Sequence, residues 1–162
     1  MADLDISGVH FMIVEDSKHM RTLIKTILNS FGCRQIAEAD DGADAFTVMK
    51  SFPPDIVICD WEMEPLDGIE FVRMVRTSSD SPNPLVPIIM VTAYTEASRV
   101  SEARDAGINE FLGKPISATT LYSRVKAIIE KPRAFIRAGA YVGPDRRRRV
   151  SDNYPGTNRR TA

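Results

Sequence analysis

The sequence is poor in several features, and each shortage narrows the field. Only two cysteines, Cys33 and Cys59, occur in 162 residues. They lack metal-ligand spacing and sit inside apolar segments, so they read as small buried hydrophobes of a reducing compartment rather than as a disulfide scaffold. No apolar run approaches the ~20 residues that span a bilayer. The opening Met-Ala-Asp-Leu-Asp has neither the basic start nor the apolar core of a secretion signal. These shortages lead to the expectation of a soluble, cytoplasmic protein with no membrane insertion.

Net charge is also scarce, −1 overall, but the balance hides a division. Residues 1–130 carry 12 Lys+Arg against 20 Asp+Glu, a balance of −8, and residues 131–162 carry 9 against 2, a balance of +7. Such a split points to different partners for the two segments. The basic segment has few large aliphatics and several Gly, Pro and Asn, too little to build a core of its own. It is expected to be a flexible tail, disordered until bound.

What is present in abundance is alternation of short apolar runs with helical patterns. Val9–Val14 reads as a buried strand, followed by a helix marked by Met20, Leu23, Ile24, Ile27, Leu28 and Phe31. A strand near Gln35–Ala39 leads to a helix from about Ala43 to Phe52, stopped by Pro53-Pro54. Ile56–Cys59, Val86–Val91 and Asn109–Leu112 supply three more strands. Helices carry Ile69, Val72, Val75 and Arg76, then Ser98–Ala106 closed by Gly107, then Leu121, Val125, Ile128 and Ile129. Five strands alternating with five helices argue for an open parallel α/β sheet covered on both faces. In such sheets chemistry collects at the carboxyl ends of the strands.

Those ends carry Glu15-Asp16, Asp60, Thr92 and Lys114-Pro115. Clustered carboxylates repel one another unless a cation joins them, and hard oxygen ligands suit Mg²⁺. A carboxylate can attack a phosphoryl group to give an acyl phosphate, while metal and ammonium neutralise the transferring charge. A threonine hydroxyl can hydrogen-bond a phosphoryl oxygen. Taken singly, Asp16 would serve as a helix N-cap, Thr92 as an ordinary strand end and Phe111 as core.

Together these positions resemble the CheY-like receiver domain of the two-component response regulators. The resemblance covers about residues 7–130 and implies a (βα)5, flavodoxin-like doubly wound sheet of strand order 2-1-3-4-5. It implies Asp60 as phospho-acceptor and Glu15, Asp16, Asp60 and the Glu62 backbone carbonyl as Mg²⁺ ligands. Thr92 becomes the switch hydroxyl, Phe111 the aromatic that follows it, and Lys114 the phosphate-binding lysine before a cis Pro115. The acidic pair is Glu-Asp where Asp-Asp is commoner, and Glu62 and Tyr94 flank the site where smaller or polar residues are common.

The segment 131–162 contains a near-repeat. Tyr141-Val142-Gly143-Pro144-Asp145-Arg146-Arg147 is echoed by Tyr154-Pro155-Gly156-Thr157-Asn158-Arg159-Arg160. Arginine pairs bidentately with guanine and phosphate, tyrosine and arginine planes stack on bases, and aspartate can accept from guanine. A ligand with two guanines and two phosphates suits a doubled motif, and cyclic di-GMP has that composition. The candidate contacts are Arg146, Arg147, Arg148 and Arg149, with Tyr141, Asp145, Asp152 and Tyr154 supporting and Arg159 and Arg160 beyond. The combination resembles the CheY-like cyclic di-GMP effectors of the flagellar motor, the Cle group. The alternatives are an incidental solvated or protein-docking tail on a phosphorelay intermediate, and a disfavoured contact with nucleic acid.

The expected function is therefore a single-domain response regulator, a signalling protein rather than an enzyme. Its expected partners are a histidine kinase or histidine phosphotransfer protein, cyclic di-GMP, and a flagellar motor switch protein or other output protein. Recruitment to the motor would follow, through a surface about Ala97–Glu130.

Overall fold

Period-2 patterning along the strands decides which side chain goes to which face. In the computed structural model, which describes residues 4–145, five parallel strands form one sheet of order β2-β1-β3-β4-β5. They are β1 (Phe11–Val14), β2 (Ile36–Ala39), β3 (Ile56–Asp60), β4 (Ile88–Thr92) and β5 (Glu110–Gly113). Five helices connect and follow them: α1 (Lys18–Ser30), α2 (Gly42–Ser51), α3 (Gly68–Thr77), α4 (Ala97–Ala106) and α5 (Ala118–Glu130). Met12, Val14, Val57, Cys59, Ile88 and Met90 pack with residues of α2, α3 and α4. Their neighbours Phe11, Ile13, Ile56, Ile58, Ile89 and Val91 pack with residues of α1 and α5. Strands buried on both faces need continuous apolar runs, which explains the runs in the sequence. Cys33 and Cys59 are buried, free thiols, one in each layer. Among the described residues no helix is long and apolar enough to cross a membrane.

Strand starts fall later than the apolar runs suggest. Val9 and His10 precede β1, since the Val9 N–H closes a turn on the Ile6 carbonyl at 3.1 Å. Val86 likewise donates to Asn83 at 3.3 Å and stays outside β4. The N-cap of α1 is Ser17, not Asp16: the Ser17 hydroxyl accepts the Met20 N–H. This leaves the Asp16 carboxylate available for other work.

The larger departure lies past residue 130. The expectation of a tail without order until bound is revised for residues 135–144, which form a hairpin of β6 (Phe135–Ala138) and β7 (Tyr141–Pro144). Gly139, at φ 60°, opens the two-residue turn, where a positive φ matches the twist of a tight hairpin. An isolated two-stranded hairpin is marginal in water, so its docking explains it. Val142, Gly143 and Pro144 are buried, and β7 packs against α3 and α4. Arg76 is the fixture beneath: only 2% exposed, it donates to the Gly107, Pro84 and Val86 carbonyls and to Asn109 Oδ1 at 2.7–3.1 Å. The Phe135 ring lies 4.9 Å from its guanidinium carbon, a cation–π contact. Burial lowers the Arg76 pKa to about 10, which still leaves it charged at neutral pH.

Gly107 sits at the junction. Its φ of +110° ends α4 in the left-handed region, and an added Cβ would lie 2.7 Å from the Val142 carbonyl oxygen. Gly107→Ala is therefore expected to cost about 2 kcal/mol, combining left-handed strain with displacement of the hairpin. Urea unfolding of the variant against the unaltered chain measures it.

Candidate functional site

Register brings the separated residues to one edge. β1 pairs Val14 with Cys59, so Glu15 emerges level with Asp60; β3 pairs Asp60 with Val91; β4 pairs Thr92 with Gly113, one residue before Lys114. Glu15, Asp60 and Thr92 are 2%, 4% and 0% exposed, whereas Asp16 faces solvent. Carboxylate oxygens of Glu15, Asp16 and Asp60 lie within 4.8 Å of one another. Lys114 Nζ stands 3.0 Å from Asp60 Oδ1 and 3.7 Å from Glu15 Oε1. The ammonium stands too far from Glu15 Oε1 and is misaligned on Asp60 Oδ1 for a hydrogen bond, so among the described residues neither oxygen has a hydrogen-bond partner. Buried carboxylate oxygens with spare lone pairs and a third carboxylate beside them are a donor set that fits a hard divalent cation. The Lys114-Pro115 bond is cis, as expected, and so is Glu64-Pro65.

The titration behaviour follows from the crowding. Burial raises Glu15 to about 7; the Ser17 N–H opposes it, the Asp60 charge adds to it and Lys114 opposes it in turn. Burial also raises Asp60, against its close pairing with the Lys114 ammonium. Lys114 is disfavoured as a cation by its own burial, but its pairing with Asp60 outweighs this and raises it.

Residues that sequence reasoning passed over hold these groups in place. Arg21 Nη1 donates to the Glu15 carbonyl at 2.6 Å and to Asp40 Oδ1 at 2.8 Å, tying the loop after β1 to the loop after β2. Asp67 and Glu70 form a reciprocal capping box that starts α3. Gly68 donates its N–H to the Trp61 carbonyl at 2.9 Å, and a Cβ there would lie 2.3 Å from the Asp60 carbonyl oxygen. A helix start packed this close to the acceptor strand requires glycine.

Glu62 does more than the expected backbone role. The Thr92 hydroxyl donates to its carboxylate at 2.8 and 3.1 Å, while the Tyr94 N–H donates to Thr92 Oγ1 at 3.0 Å. The Arg99 guanidinium on α4 lies 4.2 Å from the Trp61 ring centre and 4.9 Å from that of Tyr94. Trp61, Glu62, Arg99, Met63 and three further acids line a cavity of about 310 Å³ beside the carboxylates. Phe111 lies on β5, away from this cavity, in a groove of about 350 Å³ between α4 and α5 with Arg104 and Arg124.

Two of the candidate cyclic di-GMP contacts, Tyr141 and Asp145, are described, and both have local structural uses. The Tyr141 hydroxyl donates to the Pro144 carbonyl at 2.6 Å, and the Asp145 N–H to the Ala134 carbonyl at 2.7 Å. Arg146, Arg147, Arg148, Arg149, Asp152, Tyr154, Arg159 and Arg160 lie outside the described residues.

The fold has counterparts among known proteins. The response regulator receiver domain family matches residues 11–126. The chain is 36% identical over 120 residues to the chemotaxis protein CheY of Pseudomonas aeruginosa, covering 74% of this chain and 95% of that one. It is 32% identical over 124 residues to chemotaxis protein CheY-3 of Vibrio cholerae, covering 76% and 94%. Among solved structures, Vibrio cholerae CheY4 superposes with TM-score 0.68 at 28% identity, covering 74% and 98%. The receiver domain of a Syntrophus aciditrophicus histidine kinase gives 0.67 at 26%, covering 81% and 98%.

A pH dependence follows from Glu15. Its folded pKa lies above its ordinary value of 4.5, so the folded state holds the proton more tightly than the unfolded one. The stabilisation is full below the unfolded pKa and is lost as pH rises through about 7. Metal-free protein is expected to melt lower at about pH 8 than at about pH 6, and Mg²⁺ to raise the midpoint more at the higher pH. Thermal unfolding at both pH values, with and without Mg²⁺, measures both effects.

Proposed function

The chain belongs to the response regulator receiver family, and on that premise we propose that it is a single-domain regulator phosphorylated on Asp60 and read by a partner protein. The observation that carries the reading is the Asp60 carboxylate, buried at the end of β3, facing Lys114 at 3.0 Å, beside Glu15 and Asp16.

An Asp60 carboxylate oxygen attacks the phosphorus of a phosphohistidine on a histidine kinase or histidine phosphotransfer protein. The P–O bond forms as the P–N bond breaks, and the imidazole leaves with the electron pair. Water attack on the acyl phosphate later frees the carboxylate and inorganic phosphate. Lys114 neutralises an oxygen of the transferring group. Receiver domains bind Mg²⁺ at an acidic pocket; here Glu15, Asp16, Asp60 and the Glu62 carbonyl would hold it. The ion supplies charge neutralisation when bound. The Thr92 hydroxyl donates to a phosphoryl oxygen, and Phe111 responds at the groove between α4 and α5. Two relatives bear the name chemotaxis protein, which supports a flagellar motor switch protein as the output partner.

The second input is cyclic di-GMP at the arginine segment that begins at Arg146, and the support for it is the repeated Tyr-x-Gly-x-Asp/Asn-Arg-Arg pattern with its charge. Because the hairpin at 135–144 belongs to the folded part, a deletion that isolates this segment must end at 145 rather than near 131.

Two measurements test the reading. Asp60→Asn is expected to abolish phosphoryl uptake from a small acyl phosphate with Mg²⁺ present, followed by mobility shift or mass; uptake that persists moves the acceptor elsewhere. Calorimetric titration of cyclic di-GMP at fixed salt is expected to show micromolar or tighter binding to the full chain. Replacement of Arg146, Arg147, Arg148 and Arg149 by alanine is expected to remove it. Absence of heat with the full chain ends the second-messenger reading, and binding of mixed oligonucleotides with steep salt dependence favours nucleic acid instead.

A further inference from the structure

Thr92 has one hydroxyl proton, and in this structure Glu62 holds it. The donor faces both carboxylate oxygens, at 2.8 and 3.1 Å, and the Tyr94 N–H fills a lone pair of the same oxygen at 3.0 Å. Thr92 is fully buried, so water cannot readily replace either partner. A phosphoryl oxygen on Asp60 needs that same proton. Capture by the phosphoryl group therefore requires the bond to Glu62 to break.

We propose that the Glu62 side chain is an internal competitor for the Thr92 hydroxyl, a catch that opposes the phosphorylated conformation and sets how far modification of Asp60 shifts the protein. The proposal rests on Asp60 being the phosphoryl acceptor. It makes Glu62 a positioning residue, acting through Thr92 rather than on phosphorus. Release has a route outward, because the Tyr94 amide is bonded to Thr92 and the Tyr94 ring lies against Arg99 on α4, whose other neighbour is the Trp61 ring. A change at Thr92 is thus passed to the first turn of α4 through one hydrogen bond and one cation–π contact.

Glu62 carries a negative charge near an anion, so removing it favours phosphorylation by electrostatics alone. A double-mutant cycle separates this from the catch, because the charge effect persists without the Thr92 hydroxyl and the catch does not. The probe is beryllofluoride, a phosphoryl mimic that adds to the acceptor carboxylate, titrated with excess Mg²⁺ into the full chain. The readout is the fluorescence of Trp61, the one tryptophan in the sequence, buried beside Asp60. Glu62→Ala is expected to tighten beryllofluoride binding roughly tenfold, the scale of a hydrogen bond to a charged group. In the Thr92→Ala background the same substitution is expected to gain clearly less, and in Thr92→Ser the full gain returns. Thr92→Val, of similar shape, gives the same comparison should the alanine variant not fold. An equal gain with and without the hydroxyl overturns the catch and leaves Glu62 acting through charge alone. No response of the unaltered chain to beryllofluoride overturns the acceptor reading instead, and the inference with it.

Discussion

The constraint on which the site depends is the crowding of buried carboxylates at one end of the sheet. Glu15 and Asp60 are almost wholly removed from water, and among the described residues Lys114 is the ammonium set against them. Desolvation disfavours both anions, and the rise of both pKa values records that cost. A site in this condition gains from any cation that can use the oxygens Lys114 does not align with. The surrounding architecture keeps the groups close: Arg21 pins the Glu15 backbone, and the glycine at 68 lets α3 begin directly against β3.

The opposite end of the sheet solves a complementary problem. There a cation is buried instead of anions, and neutral carbonyls answer it. Arg76 gathers the Pro84, Val86 and Gly107 carbonyls and Asn109 Oδ1, which also accepts the Ile88 N–H, where α3, β4 and the turn before β5 meet. Its planar fork can serve four acceptors at once, which a lysine could not do. The hairpin closes the arrangement, with Phe135 over the guanidinium and Val142 against Gly107. Segment 135–144 is therefore part of the folded unit, and the change of charge sign near residue 130 does not coincide with the edge of the structure.

The five-stranded sheet was legible because its signal is redundant: β1, β3 and β4 are continuous apolar runs buried along their length, and the short edge strands β2 and β5 fall between helical patterns. The site was legible for a related reason, since a parallel sheet must bring Glu15, Asp60, Thr92 and Lys114 to one edge once the strand order is known. The hairpin escaped because two four-residue strands offer almost no periodicity, and a composition averaged over residues 131–162 was dominated by its arginines. Arg76 read as one polar position in an apolar helix face, and its acceptors are carbonyls that no side-chain pattern announces. The Glu62–Thr92 bond lies between residues 30 apart, and depends on a side-chain direction that spacing does not encode. Asp16 shows the same limit in reverse: its position before α1 suggested a cap, but Ser17 took that role through rotamer and backbone geometry.

Helix α4 is the element shared by these two ends. Near its start Arg99 stands between Trp61 and Tyr94, and at its close Gly107 meets Val142 of the hairpin and presents its carbonyl to Arg76. A helix of ten residues is about 15 Å long and moves largely as a body. Its two ends therefore cannot be repositioned independently. One end is tied to the Thr92 hydroxyl through Tyr94 and Arg99, whereas the hairpin packs on the other. Any occupant that discriminates between two positions of α4 at one end changes the free energy of events at the other, and the coupling is equal in both directions. Small displacements suffice, because both contacts are packed and directional: a stacked guanidinium and a glycine in close backbone approach tolerate little sliding. Coupling of the acidic site to the hairpin would need no separate pathway, since one helix contacts residues beside both.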